Sequence, residues 1–79
     1  VQHLTEARAA VLWVLREIGP STDEHLVAVY RGSPEVLRQS PSGIRSRRAE
    51  LVRDGWVRDS GRRECTLAGR AAVVWEVAD

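Results

Sequence analysis

The sequence predicts an α+β domain, mainly helical: three helices followed by a two-stranded β-hairpin, with residues 1–79 forming one domain. Three observations predict it. Apolar residues recur at helical spacing in three successive segments, each opened by serine or threonine and closed by glycine. After Gly55 the texture changes to short stretches rich in valine and tryptophan. Finally, 79 residues leave room for one thin core and no second domain.

In the first helix Thr5 is the expected N-cap and Glu6 sits in the first turn, where a carboxylate complements the helix dipole. Ala7, Val11, Val14, Leu15 and Ile18 fall on one face, and Gly19-Pro20 stops the helix because proline cannot continue it. Trp13 points the other way, beside Glu6 and Glu17. Two readings of it stay open: an anchor for a protein partner or second subunit, or a ring covered by a terminal segment.

Ser21-Thr22-Asp23-Glu24 has the spacing of a capping box, in which a serine cap and a glutamate three residues on satisfy each other's free amides. Leu26, Val27, Val29 and Tyr30 follow as candidates for burial, and the helix ends near Gly32. Residues 32–39 read as a loop, with a turn available at Ser33-Pro34. The third helix starts at Ser40-Pro41, serine capping and proline at the first helical position, with Ser42 as an alternative cap. Ile44, Arg48, Leu51 and Val52 share a stripe, and Gly55 ends it. An arginine on that stripe can bury its stem while its head reaches water or an acid.

Strands are expected at Trp56-Val57-Arg58 and from Ala72 to Ala78, with Val73, Trp75 and Val77 forming a bulky apolar face. Turn signals occur at Ser60-Gly61 and Ala68-Gly69, and the hairpin tip is expected at Leu67-Ala68-Gly69-Arg70.

Charge is unevenly placed. All 12 basic residues are arginine, against 11 acids. Residues 1–40 balance to −1 and residues 41–79 to +2, and between Ile44 and Arg63 seven arginines face three acids. A basic stripe on a near-neutral small domain is the footprint of a polyanion partner. Its competitor is a solvated, salt-bridged face in which arginine reflects GC-rich codons.

The segment SPSGIRSRRAELVRDGWV, with small polar residues, an aliphatic, Leu51 seven residues on and Gly55 four further, resembles the recognition helix of winged helix-turn-helix domains. The tail TLAGRAAVVWEV resembles their hairpin wing. The two segments sit in an order of three helices and a hairpin that spans nearly the whole chain, which is similar to MarR-type and related small bacterial and phage regulators. The resemblance implies double-stranded DNA binding, the third helix (about 41–54) in the major groove and the wing (about 57–77) on the backbone or minor groove. Residue chemistry agrees, since a helix fits the major groove and arginine grips guanine through two parallel hydrogen bonds.

With Ile44 and Leu51 facing the core, Ser42, Arg45, Ser46 and Ala49 face outward. Arg45 and Ser46 are the expected base contacts, with Arg47 at the border. Ser40, Ser42 and Gly43 are expected to position phosphate. Arg62, Arg63 and Arg70 are expected on the DNA backbone or in the minor groove, and Arg48, which shares Ile44's stripe, on the backbone. One departure is the connection between helices two and three, longer than a three- or four-residue turn. Another is the lack of the extra helices by which many such domains dimerise. The role expected is transcription regulation; the alternatives are a protein-docking or dimerisation module and a replication or recombination accessory factor of low specificity.

No catalytic or cofactor constellation emerges. His3 and His25 lack partners at metal-ligand spacing. Cys65 has no nearby histidine and is expected to be a buried or half-buried structural thiol. Asp54, Asp59 and Glu64 have arginine neighbours, so ion pairing explains them better than a nuclease centre. The longest uncharged, mainly apolar stretch runs seven residues from Ala9, too short to span a membrane. With one cysteine and no visible leader, a reducing, cytoplasmic setting is expected, in a bacterium or phage-infected cell. With no methionine, Val1 is not expected to be the translation start.

Overall fold

The computed structural model describes residues 4–78, which places His3 outside it. The expected order holds: α1 (Glu6–Ile18), α2 (Asp23–Arg31), α3 (Pro41–Arg53), then β1 (Val57–Cys65) antiparallel to β2 (Ala71–Val77). The chain is therefore an α+β domain with a winged-helix-like layout. None of its described helices is long and apolar enough to cross a membrane.

Thr5 caps α1 by accepting from the Arg8 amide at 3.2 Å, and Gly19 ends the helix with φ +81°. The second cap corrects the sequence reading. Thr22, not Ser21, accepts from the His25 amide at 3.2 Å. Ser21 is committed elsewhere: its backbone exchanges two hydrogen bonds with Trp75, at 2.9 and 2.8 Å. A capping box reads only local spacing, whereas this bridge joins residues far apart in sequence, so tertiary pairing moves the cap by one residue. Glu24 is thereby freed from a capping box, and its carboxylate accepts from the Leu67 amide of the hairpin tip at 3.3 Å.

Of the two candidate caps for α3, Ser40 is the one used, accepting from the Gly43 amide at 3.0 Å. Gly55, at φ +85°, allows the chain to reverse so that the Trp56 amide reaches back to the Leu51 carbonyl at 2.8 Å. That tight end launches β1 directly from the base of α3.

The strands run further toward the tip than expected, because residues 60–62 form an irregularity inside β1 rather than a loop. The register passes from Asp59 opposite Trp75 to Arg63 opposite Val73, so β1 carries two extra residues, and Gly61 supplies the positive φ (+86°). The tip falls at Leu67-Ala68-Gly69 as expected, closed by Thr66–Arg70 and Gly69–Thr66 backbone bonds. Cys65, expected to be buried or half-buried, is exposed at the tip end of β1. The alternation in β2 is also less clean than its sequence suggests. Trp75 and Val77 pack on the core, but Val74 on the opposite face is fully buried too. The sheet has two strands, and Ser21 adds a single bridge on the far edge of β2.

Val11, Leu15, Leu26, Tyr30, Ile44, Leu51 and Val57 form the core where the helices meet the hairpin base. Leu12, absent from the expected apolar face, joins them because the buried stripe of α1 is wide. Tyr30 also organises the long connection. Its hydroxyl donates to the Leu37 carbonyl and accepts from Gln39 Nε2 at 2.7 Å, and that nitrogen donates to the Ala7 carbonyl at 3.1 Å. A buried hydroxyl thus ties residues 37–39 to α1 and fixes where α3 begins.

Candidate nucleic-acid interface

The exposed side of α3 is the one expected: Ser42, Arg45, Ser46 and Ala49 are exposed, joined by Arg53 one turn on. Ile44 and Leu51 are fully buried beneath them. Gly43 is half-buried, and a Cβ there would come within 3.1 Å of the Ser40 hydroxyl that caps the helix. A side chain at 43 therefore competes with the cap.

The remaining α3 arginines are held in ion pairs at the two flanks. Arg47 forms a two-pronged pair with Glu50 at 2.8 and 2.9 Å, and Arg8 of α1 reaches the same carboxylate at 2.7 Å. Arg48 reaches across to Asp23 of α2 at 2.8 and 2.6 Å. Its guanidinium also lies 4.1 Å over the Trp75 ring. Arg48 therefore joins α2, α3 and β2 at one point, its stem packed and its fork on an acid. The sequence signal for this role was present, an arginine on the core stripe; its partner Asp23 was legible only as a first-turn acid of α2.

The hairpin divides likewise. Arg63 pairs with Asp59 at 3.0 and 3.2 Å, and Arg58 with Glu76 at 2.7 Å. Asp54 lies between Arg8 and Arg53, at 3.7 and 3.5 Å. Asp54 and Asp59 thus have the ion pairs expected of them, whereas Glu64 makes none among the described residues. The guanidinium groups of Arg45, Arg62 and Arg70 make no ion pair or hydrogen bond among the described residues, and all three are exposed. Arg31 and Arg38 share that condition.

Comparison of the chain with protein-family models, curated proteins and solved structures returns no match. The site is therefore read from its own geometry. Arg45 lies three residues before Arg48, roughly 60° around the helix from it. It thus sits on the flank that meets Trp75 of the hairpin, while Arg47 lies toward α1. Arg48, on the core stripe of α3, joins that helix to the hairpin strand β2 through Trp75.

Trp13 is 46% exposed and Leu37 43% exposed. With Ala9, Ala10 and Val36 they line a shallow groove of about 400 Å³, rimmed by Glu6 and Glu35. An acidic rim is unsuited to phosphate, so this face is chemically distinct from the α3 face.

The paired acids respond to their arginines. Hydrogen bonds from Arg47 and then Arg8 pull the Glu50 carboxyl down from 4.5 to about 2. The Gly61 amide, and after it Arg63, lowers Asp59. A lowered folded-state pKa contributes stability above the unfolded value and loses it as pH falls toward the folded one. Glu50 should therefore give the domain an acid-unfolding limb between about pH 4.5 and about pH 2. Glu50→Gln is expected to flatten that limb in urea titrations at pH 2 to 6. An unchanged limb would show that the Arg8–Glu50–Arg47 cluster carries no stability.

Proposed function

We propose that the chain binds double-stranded DNA, with α3 in the major groove and the β1–β2 hairpin as a wing on the flanking backbone. One observation carries the reading. Arg45, Arg62 and Arg70 stay exposed and unpaired on the α3 face and the hairpin, in a molecule where Arg8, Arg47, Arg48, Arg58 and Arg63 all hold carboxylates. Cations left without internal partners are available to phosphate and to base edges.

The proposed contacts are accordingly narrower than the sequence alone suggested. Arg45 and Ser46 meet bases, Ser42 and the capped start of α3 meet phosphate, and Arg62 and Arg70 hold the backbone. Arg47, Arg48 and Arg63 act by positioning: Arg47 holds the Glu50 carboxylate that Arg8 of α1 also reaches, Arg48 locks α3 to α2 and the wing, and Arg63 braces the bulge. The role proposed is transcription regulation in a bacterial or phage setting, as the resemblance to winged helix-turn-helix regulators implies. A docking reading is favoured by the Trp13–Leu37 groove, whose rim is acidic where the α3 face is cationic.

Selection from random duplexes at two salt concentrations tests the proposal. Enrichment of a preferred site is expected, with affinity falling steeply between 50 and 200 mM salt as displaced counterions lose their entropic advantage. Affinity independent of salt would remove the DNA reading and leave the docking one.

A further inference from the structure

A second concavity adjoins the Trp13–Leu37 groove, sharing Val36 and Leu37 with it, and reaches the Ser40 cap of α3. About 800 Å³ in volume and open to solvent, it sits under the α2–α3 connection, between the end of α2 and the start of α3. Tyr30 forms part of its wall, and Arg31, Arg38, Ser40 and Pro41 line it. No carboxylate contributes to that lining, although acids make up 11 of the 79 residues. Arg31 and Arg38 are both exposed and make no ion pair among the described residues. The Tyr30–Leu37–Gln39 hydrogen bonds hold the segment that carries Arg38, so that arginine is mounted on a fixed piece of chain.

We infer that this concavity is a phosphoryl-group site, with Arg31 and Arg38 as its two cationic arms. A pair of guanidinium forks around an acid-free hollow suits a tetrahedral oxyanion, which each fork can meet through two parallel N–H donors. The phosphoryl group can come from a duplex backbone or from a free phosphorylated small molecule. The first source rests on the DNA reading above and extends the interface across the connector to the end of α2; the second does not depend on it.

The variant Arg31→Gln/Arg38→Gln removes both charges, keeps a polar side chain and disturbs no internal hydrogen bond, so its thermal unfolding should match that of the parent chain. Two arms separate the sources. In the first, DNA affinity is measured against salt. Loss of two phosphate contacts should lower affinity for all duplexes alike, by roughly tenfold, and reduce the log–log salt slope by about 2. In the second, inorganic pyrophosphate is titrated into the parent protein while backbone amide shifts are followed. Saturable shifts at Arg31, Gly32, Arg38 and Ser40 that vanish in the variant establish the site for a free ligand. A DNA effect alone assigns it to the duplex, and a pyrophosphate effect alone to a small molecule. If the parent chain fails to bind DNA yet shows the pyrophosphate shifts, the DNA reading falls and the site stands. Unchanged DNA binding together with no saturable shift overturns the site.

Discussion

Arg45→Ala is expected to erase most of the chain's preference between DNA sequences. A good two-pronged contact between arginine and guanine discriminates by about 1–3 kcal/mol, or roughly 5- to 150-fold in affinity for a preferred duplex. The guanidinium of Arg45 is exposed and makes no internal ion pair, so its loss should leave stability within about 0.5 kcal/mol of the parent. That combination, lost specificity on an intact fold, separates a base contact from a structural residue. Arg70→Ala provides the comparison. At the end of the hairpin turn it should weaken binding to preferred and bulk duplexes equally, as a backbone contact does. Competition between a selected site and bulk DNA measures both. Equal behaviour of Arg45→Ala, Arg70→Ala and the parent protein would show that α3 does not read bases.

Leu51→Ala is expected to have the largest effect on the fold itself. Leu51 is fully buried in the cluster shared by α1, α2, α3 and β1, and its carbonyl accepts the Trp56 amide that turns the chain into the hairpin. Emptying such a site costs about 2–5 kcal/mol, the transfer of the lost atoms plus the cavity left behind. A domain of this length has on the order of 4–12 kcal/mol in total, so the variant should lose a large share of it. Each kcal/mol lowers the midpoint of a domain this size by about 4–8 °C, so thermal unfolding followed by circular dichroism should report a fall of at least about 8 °C. Because α3 stands on this residue, DNA affinity near the new midpoint should fall with the folded fraction and no faster. A shift below about 2 °C would mean that the α3 seam is not the centre of the core.

Local rules accounted for the elements themselves. Thr5 and Ser40 as caps, Gly19 and Gly55 as stops, and the hairpin tip at 67–69 each depend on a few adjacent residues, and each is where its residue type requires. The outward set Ser42, Arg45 and Ser46 followed from helical periodicity once Ile44 and Leu51 were placed inside. Sequence neighbours could not foretell pairings made across the fold. Ser21 lost its expected cap to a bridge with Trp75, 54 positions away along the chain. Arg48 found Asp23 and Trp75, Arg47 shared Glu50 with Arg8, and Cys65 lay outside the core. The sequence by itself determined which arginines exist and which segments carry them. Only the tertiary structure decided which of them are held by carboxylates and which remain open to a partner, because a charge is neutralised by whatever folds to within about 4 Å of it, however distant in sequence.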